Sequence, residues 1–188
     1  MYNKTLLILL SGKAGVGKTY SARILCDYFR ELGLNVTVAN FAFGIKKIAK
    51  EFMGWDGQKD ERGRKLLQTL GTEVGRAYNI NCWVEYLFGY LEHSANFPYD
   101  VIIIDDWRFP SEYEYFVDNL MYNTMRVKII GKKQEAMPEN LKTHASEISL
   151  PEDSKYYDFT LYNNFDPNME VNVREMGHHL DSIQSKFI

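Results

Sequence analysis

The stretch "LLILLSGKAGVGKTYSARIL", residues 6–25, constrains this chain more than any other. An apolar run leads into Gly12-Lys13-Ala14-Gly15-Val16-Gly17-Lys18-Thr19, a full G-x-x-x-x-G-K-[ST] match, and a helical pattern follows at once. Glycines let backbone N–H groups curve around a polyphosphate, and the N-terminus of the following helix adds favourable partial charge. On this reading Gly12, Ala14, Gly15, Val16, Gly17, Lys18, Thr19 and Tyr20 hold the nucleotide. Lys18 reaches the β and γ phosphates, and Thr19 ligates Mg²⁺. ATP or GTP binding is therefore expected. A grip of this kind serves motors, switches and kinases alike, so the second ligand decides the function.

The rest of the chain predicts an α/β fold. Strand-like runs at 5–10, 35–41, 101–105, 125–130 and 158–162 are mostly separated by helical patterns, which implies a five-stranded parallel sheet with helices on both faces. "VIIIDD" is uniformly apolar before its two aspartates, as a buried central strand should be. The first helix, about 17–32, places Leu25, Tyr28, Phe29 and Leu32 on one face and stops at Gly33. The last begins at Asp166-Pro167 and sets Met169, Val173, Met176, Leu180, Ile183 and Phe187 at steps of three and four toward the sheet. Residues 42–94 hold too much chain for a simple crossover and are expected to form a helical insertion that binds the second substrate. The 188 residues read as one domain with no repeat or linker.

Bulk properties exclude some classes. Charged residues make up 25% and the net charge is −3, which argues against a broad nucleic-acid surface. The only N-terminal apolar run, Leu6 to Leu10, lacks a signal-peptide layout and a spanning length, so a cytosolic protein without a membrane role is expected. Cys26 and Cys82 form no CxxC pair and read as buried free thiols rather than a disulfide or metal site.

Two further stretches speak to the second substrate. In "IIIDDWRFPSE", 102–112, acidic residues end a buried strand and point into the crevice where α/β sheets bind ligands. Asp106 and Arg108 either orient Mg²⁺-bound water and clamp a phosphate, or make a strand-end salt bridge. Pro110 with Ser111-x-x-Glu114 then restarts a helix. In "GRKLLQTLGTEVGRAYNINCW", 63–83, Leu66, Leu67, Leu70, Val74 and Ala77 form the expected buried side of a helix. Arg64, Gln68, Gly71 and Gly75 share another side, where two interior glycines point to a flat ligand or a closely packed helix. Trp83 either stacks on a base or fills the core.

Together, "LLQTLGTEVGR…W", DxR followed by "FPSE", and "THASE" at 143–147 resemble the deoxynucleoside monophosphate kinases of bacteriophages and their relatives. "DFTLYNN", ending at Asn164, continues the likeness. The resemblance implies a P-loop kinase fold and transfer of the γ-phosphoryl group of ATP to a deoxynucleoside 5′-monophosphate (dNMP), with Mg²⁺. It carries Lys18 and Thr19 to the donor, Arg64, Gln68, Thr72 and Trp83 to the acceptor, and Asp106 and Arg108 between the two. Lys18, Asp106 and Arg108 become the catalytic set and Thr19 with Asp106 the metal ligands; Asp105 falls at a position that varies in such kinases. His144 and Glu147 match an HxSE block, either near the substrate or as a helix start. A homodimer and a viral source, hence a host cytoplasm, are also implied.

The acceptor's own phosphate is an adequate nucleophile, so no histidine is needed as a base. Cations should carry the catalysis. Arg126, Lys128, Lys132, Lys133 and Lys142 cluster around 126–142, and residues about 131–145 are either a solvated loop or a short lid over ATP. Two rivals stand beside the dNMP kinase: another P-loop small-molecule kinase, of the dephospho-coenzyme A or phosphomevalonate type, and an ATP-dependent switch.

Overall fold

The computed structural model describes residues 4–131, 144–166 and 168–184. Five parallel strands form one sheet in the order β2-β3-β1-β4-β5: β1 Thr5–Ser11, β2 Val36–Ala39, β3 Val101–Ile104, β4 Tyr122–Gly131 and β5 Phe159–Asn163. β1 lies at the centre, paired with β3 on one side and β4 on the other. Leu6 to Leu10 are all fully buried there.

Period-two alternation divides those side chains between two cores. Leu6, Ile8 and Leu10 pack with Leu25 and Phe29 of α1 (Lys18–Glu31) and with Val173, Met176 and Leu180 of the last helix, Met169–Gln184. Leu7 and Leu9 face the other way, onto Ile45, Trp83, Val84 and Leu87. Burying each such Leu or Ile side chain stabilises the fold by about 1.5–3 kcal/mol. The first helix ends one residue early: Leu32 is its C-cap and is exposed, so only Leu25 and Phe29 of the expected stripe are fully buried. Pro167 and Phe187 of the expected last helix lie outside the described residues.

The long segment between β2 and β3 is helical, as expected. It holds α2 (Phe43–Met53), α3 (Glu61–Gln68), a π-helix that continues α3 over Thr69–Arg76, and α4 (Cys82–Glu92). The π register departs from the sequence reading. A 3.6-residue period sends Val74 and Ala77 inward with Leu67 and Leu70. An i→i+5 ladder holds more residues per turn, and Val74 and Ala77 turn outward while Leu67 and Leu70 stay against the core.

After β3 the chain runs into α5 (Pro110–Val117). Its start differs from the expected Ser111–Glu114 box. Phe109 is the N-cap, Pro110 opens the helix, and the Glu112 carboxylate reaches back to the Phe109 N–H. A short helix α6 (Ala145–Ile148) and a 3₁₀ turn precede β5, and α7 (Met169–Gln184) closes the chain.

Candidate active site

The sheet order decides where ligands go. The C-terminal ends of β1 and β3 lie side by side, and the chain leaves them toward opposite parts of the fold, which opens a crevice beyond the strand ends. β1 delivers the glycine loop there and β3 delivers Asp105 and Asp106. The helical insertion walls the far side. The result is a cleft of about 640 Å³ that joins Gly15, Lys18 and Thr19 to Arg64, Gln68 and Arg108.

In the glycine loop, Gly12, Gly15 and Gly17 all have positive φ. Gly17 (φ +99) is held from behind: a Cβ there would lie 2.6 Å from Nδ2 of Asn163. Asn163, buried at the end of β5, donates Nδ2–H to the Val16 carbonyl at 2.9 Å and accepts the Phe165 N–H at 2.8 Å. Val16 itself points into the core, so what it offers a phosphate is backbone rather than side chain. Lys18 donates its ammonium to the Gly12 and Lys13 carbonyls at 2.7 and 3.0 Å. Ala14 and Tyr20 also line the cleft, whereas Gly12 turns toward a smaller hollow against β4.

The carboxylate beside Thr19 is Asp105 rather than Asp106. Thr19 Oγ1 donates to Oδ2 of Asp105 at 2.7 Å. Asp106 instead accepts the N–H groups of Phe41 and Ala42 at 2.7 and 3.1 Å, pinning the start of the insertion to the end of β3. Burial and the neighbouring Asp105 push the Asp106 carboxyl above its ordinary range, against the pull of Lys46 and those two N–H groups. A hydroxyl beside a carboxylate is a hard oxygen pair that suits Mg²⁺, which keeps several waters and takes few protein ligands. Among the described residues no group of three or more His, Cys, Asp or Glu stands ready to hold a metal. Thr19 and Asp105 fit Mg²⁺, and Asp106 is occupied with backbone.

On the insertion side, Arg64, Gln68 and Thr72 all line the cleft, joined by Arg76, which sequence reasoning passed over. These four sit at a constant spacing of four. In an α-helix such a row drifts forward around the axis; the π stretch, with more than four residues per turn, drifts it back. The change of register keeps all four on one wall. Arg64 Nε donates to the Lys59 carbonyl at 2.8 Å, and Arg108 Nη1 donates to the Ser146 carbonyl at 2.9 Å.

Trp83, expected beside Arg64, Gln68 and Thr72, stands apart from them. Its ring is buried in the second core, and its Nε1–H goes to the Gly71 carbonyl at 2.8 Å. It does not line the cleft. The interior glycines answer to packing: a Cβ on Gly75 would lie 2.6–2.7 Å from Trp83 Cε2 and Nε1, and one on Gly71 would press on Ile45. His144 is also absent from the lining; its Nδ1 accepts the Ser146 N–H at 3.2 Å and caps α6, the helix-start reading. The Glu147 side chain and residues 132–143, which carry most of the expected lid, lie outside the described residues. Cys26 and Cys82 are free thiols, their pKa values pushed up by burial.

No protein-family profile and no curated protein matches this sequence. Solved structures do match in shape. A putative kinase from Chloroflexus aurantiacus superposes with TM-score 0.50 at 13% identity, over 94% of this chain and 99% of that one. A gluconokinase from Sinorhizobium meliloti gives 0.49 at 12% identity, over 99% and 96%. The APS kinase CysC of Mycobacterium tuberculosis, in complex with AMPPNP and APS, gives 0.48 at 12%, over 95% and 98%. The fold is that of a P-loop kinase. At these identities the P-loop kinase likeness speaks for the fold alone. Among the described residues no helix is long and apolar enough to cross a membrane.

Proposed function

We propose that this protein transfers the γ-phosphoryl group of ATP to a deoxynucleoside 5′-monophosphate, giving the diphosphate and ADP. The observation that carries the reading is the charge of the cleft. Six cationic side chains line it (Lys18, Lys46, Lys59, Arg64, Arg76 and Arg108) against three carboxylates (Asp105, Asp106 and Glu112), on a chain whose net charge is −3. Three of those cations are arginines: Arg108 stands in the turn after β3, near the glycine loop, and Arg64 and Arg76 belong to the insertion wall. A second anionic ligand suits that wall, and a phosphate matches the guanidinium fork. Gln68 and Thr72 beside the arginines offer an amide and a hydroxyl that suit the edge of a base. The choice of a deoxynucleotide rests on the resemblance of the LGTE, DxR and HxSE blocks.

In the reaction, an oxygen of the acceptor phosphate bonds to the γ-phosphorus while the bond to the β–γ bridging oxygen breaks and its electron pair leaves with ADP. The protein's part is alignment and neutralisation of spreading negative charge. Lys18 serves the β and γ oxygens. Arg108, between the two ends of the cleft, serves the group in flight. Arg64, Gln68 and Thr72 hold the acceptor. Thr19 and Asp105 would hold Mg²⁺, which supplies positive charge at the donor phosphates when bound.

A coupled ADP-release assay across dAMP, dGMP, dCMP, dTMP and the ribonucleotides tests the proposal. Turnover that depends on a dNMP, and that Lys18→Ala abolishes while the circular dichroism spectrum is unchanged, is the expected result. ATP hydrolysis indifferent to every acceptor would point to a switch and overturn it.

A further inference from the structure

Glu112 is 1% exposed, yet it is the point where two walls of the cleft meet. One carboxylate oxygen accepts from Arg76 Nη2 at the end of the π-helix. The other accepts the N–H groups of Arg108 and Phe109 at 2.9 and 3.1 Å, in the turn that follows β3. Arg76 lies over the Phe109 ring, 4.0 Å from its centroid, and sends Nη1–H to the Gly71 carbonyl at 3.0 Å. Its Nε is buried without a hydrogen-bond partner among the described residues. The fork of Arg76 is thus turned mainly toward protein, although its side chain reaches the cleft wall.

We infer that Arg76 and Glu112 form a positioning pair that sets the acceptor-side row, Gln68 and Thr72, against the donor-side turn, Asp105 to Arg108. The inference rests on the proposed transfer reaction and extends it. Stability alone would not call for ions here, since well-packed apolar residues do as well as a buried ion pair. A charge-assisted contact differs in being directional. With one Glu112 oxygen on the guanidinium and the other on two backbone N–H groups, both the distance and the rotation of the two walls are fixed. Phosphoryl transfer is sensitive to such placement, because a misalignment of about 1 Å costs roughly 100-fold in rate. The pairing also ties two of the sequence blocks together, since Arg76 closes LGTEVGR and Glu112 closes FPSE.

The test uses Glu112→Gln, Glu112→Asp and Arg76→Lys in the full chain, at a temperature where circular dichroism shows each to be folded. Turnover, KM for ATP and calorimetric dNMP affinity are measured for each. The expected result is a fall in kcat of about 100-fold, a KM for ATP close to wild type, and a smaller loss of dNMP affinity. Arg76→Lys combined with Glu112→Gln should be no slower than the worse single variant, because the two act as one unit. Folded variants with wild-type kcat would reduce the pair to a structural brace and overturn the inference. So would a loss confined to dNMP affinity, which would make Arg76 a direct ligand. Wild-type protein without dNMP-dependent turnover would overturn the transfer reading itself, and this inference with it.

Discussion

Trp83 and Gly75 give the sharpest test of how the insertion is built. Gly75→Ala places a methyl group 2.6–2.7 Å from two atoms of a ring that is 7% exposed and pinned to the Gly71 carbonyl. Overpacking of this kind costs about 1–3 kcal/mol, offset by about 1 kcal/mol from replacing a helical glycine. A net loss of up to about 2 kcal/mol follows. Trp83→Phe removes one hydrogen bond, about 1 kcal/mol, because the Gly71 carbonyl keeps its Arg76 donor. The shrinkage from indole to phenyl adds about 1–2 kcal/mol. Were the two sites independent, the double variant would lose about 2–5 kcal/mol. Phenylalanine lacks the ring atoms that the new methyl group would strike, so Gly75→Ala should change sign in that background and stabilise by up to about 1 kcal/mol. Urea denaturation at constant m-value reads all four corners of the cycle. Additivity within about 0.5 kcal/mol would refute the packing argument. The Trp83→Phe enzyme should keep its dNMP affinity, since the ring is outside the cleft; a marked loss would restore it as a base platform.

Three more substitutions have expected outcomes. Asp105→Asn should raise the Mg²⁺ concentration for half-maximal transfer by at least about tenfold, whereas Asp106→Asn, which keeps one of two oxygens for the Phe41 and Ala42 N–H groups, should mainly lower the denaturation midpoint. Asn163→Ala removes the hydrogen bonds to the Val16 carbonyl and the Phe165 N–H, so it should cost about 1–3 kcal/mol and raise KM for ATP, both readable from thermal melts and initial rates.

Strands and the glycine loop were legible because their signals are local. "LLILL" and "VIII" are uniformly apolar because both faces are covered, and each strand lies within a few residues of its expected span. The insertion was legible as a helical region, but its inner face was not. Sequence periodicity assumes 3.6 residues per turn, and the π register from Thr69 to Arg76 broke that assumption where it mattered most. A spacing-four row from Arg64 to Arg76 was the available signal. Asp105 and Asp106 differ by tertiary placement alone: one faces Thr19, the other faces the loop after β2, and adjacent identical residues carry no mark of that. Asn163 was invisible for the same reason, since its partner lies 147 residues away.

The π-helix has a consequence for what the chain can tolerate. Between Thr69 and Arg76 its turns are one register wider than those on either side. Were the segment forced into an ordinary helix at constant length, its tighter turns would swing Arg76 off the bearing of Glu112. The register of this stretch is therefore more tightly fixed than the identity of its outward side chains: Val74, which is exposed, is open to any replacement that leaves the wide turns in place.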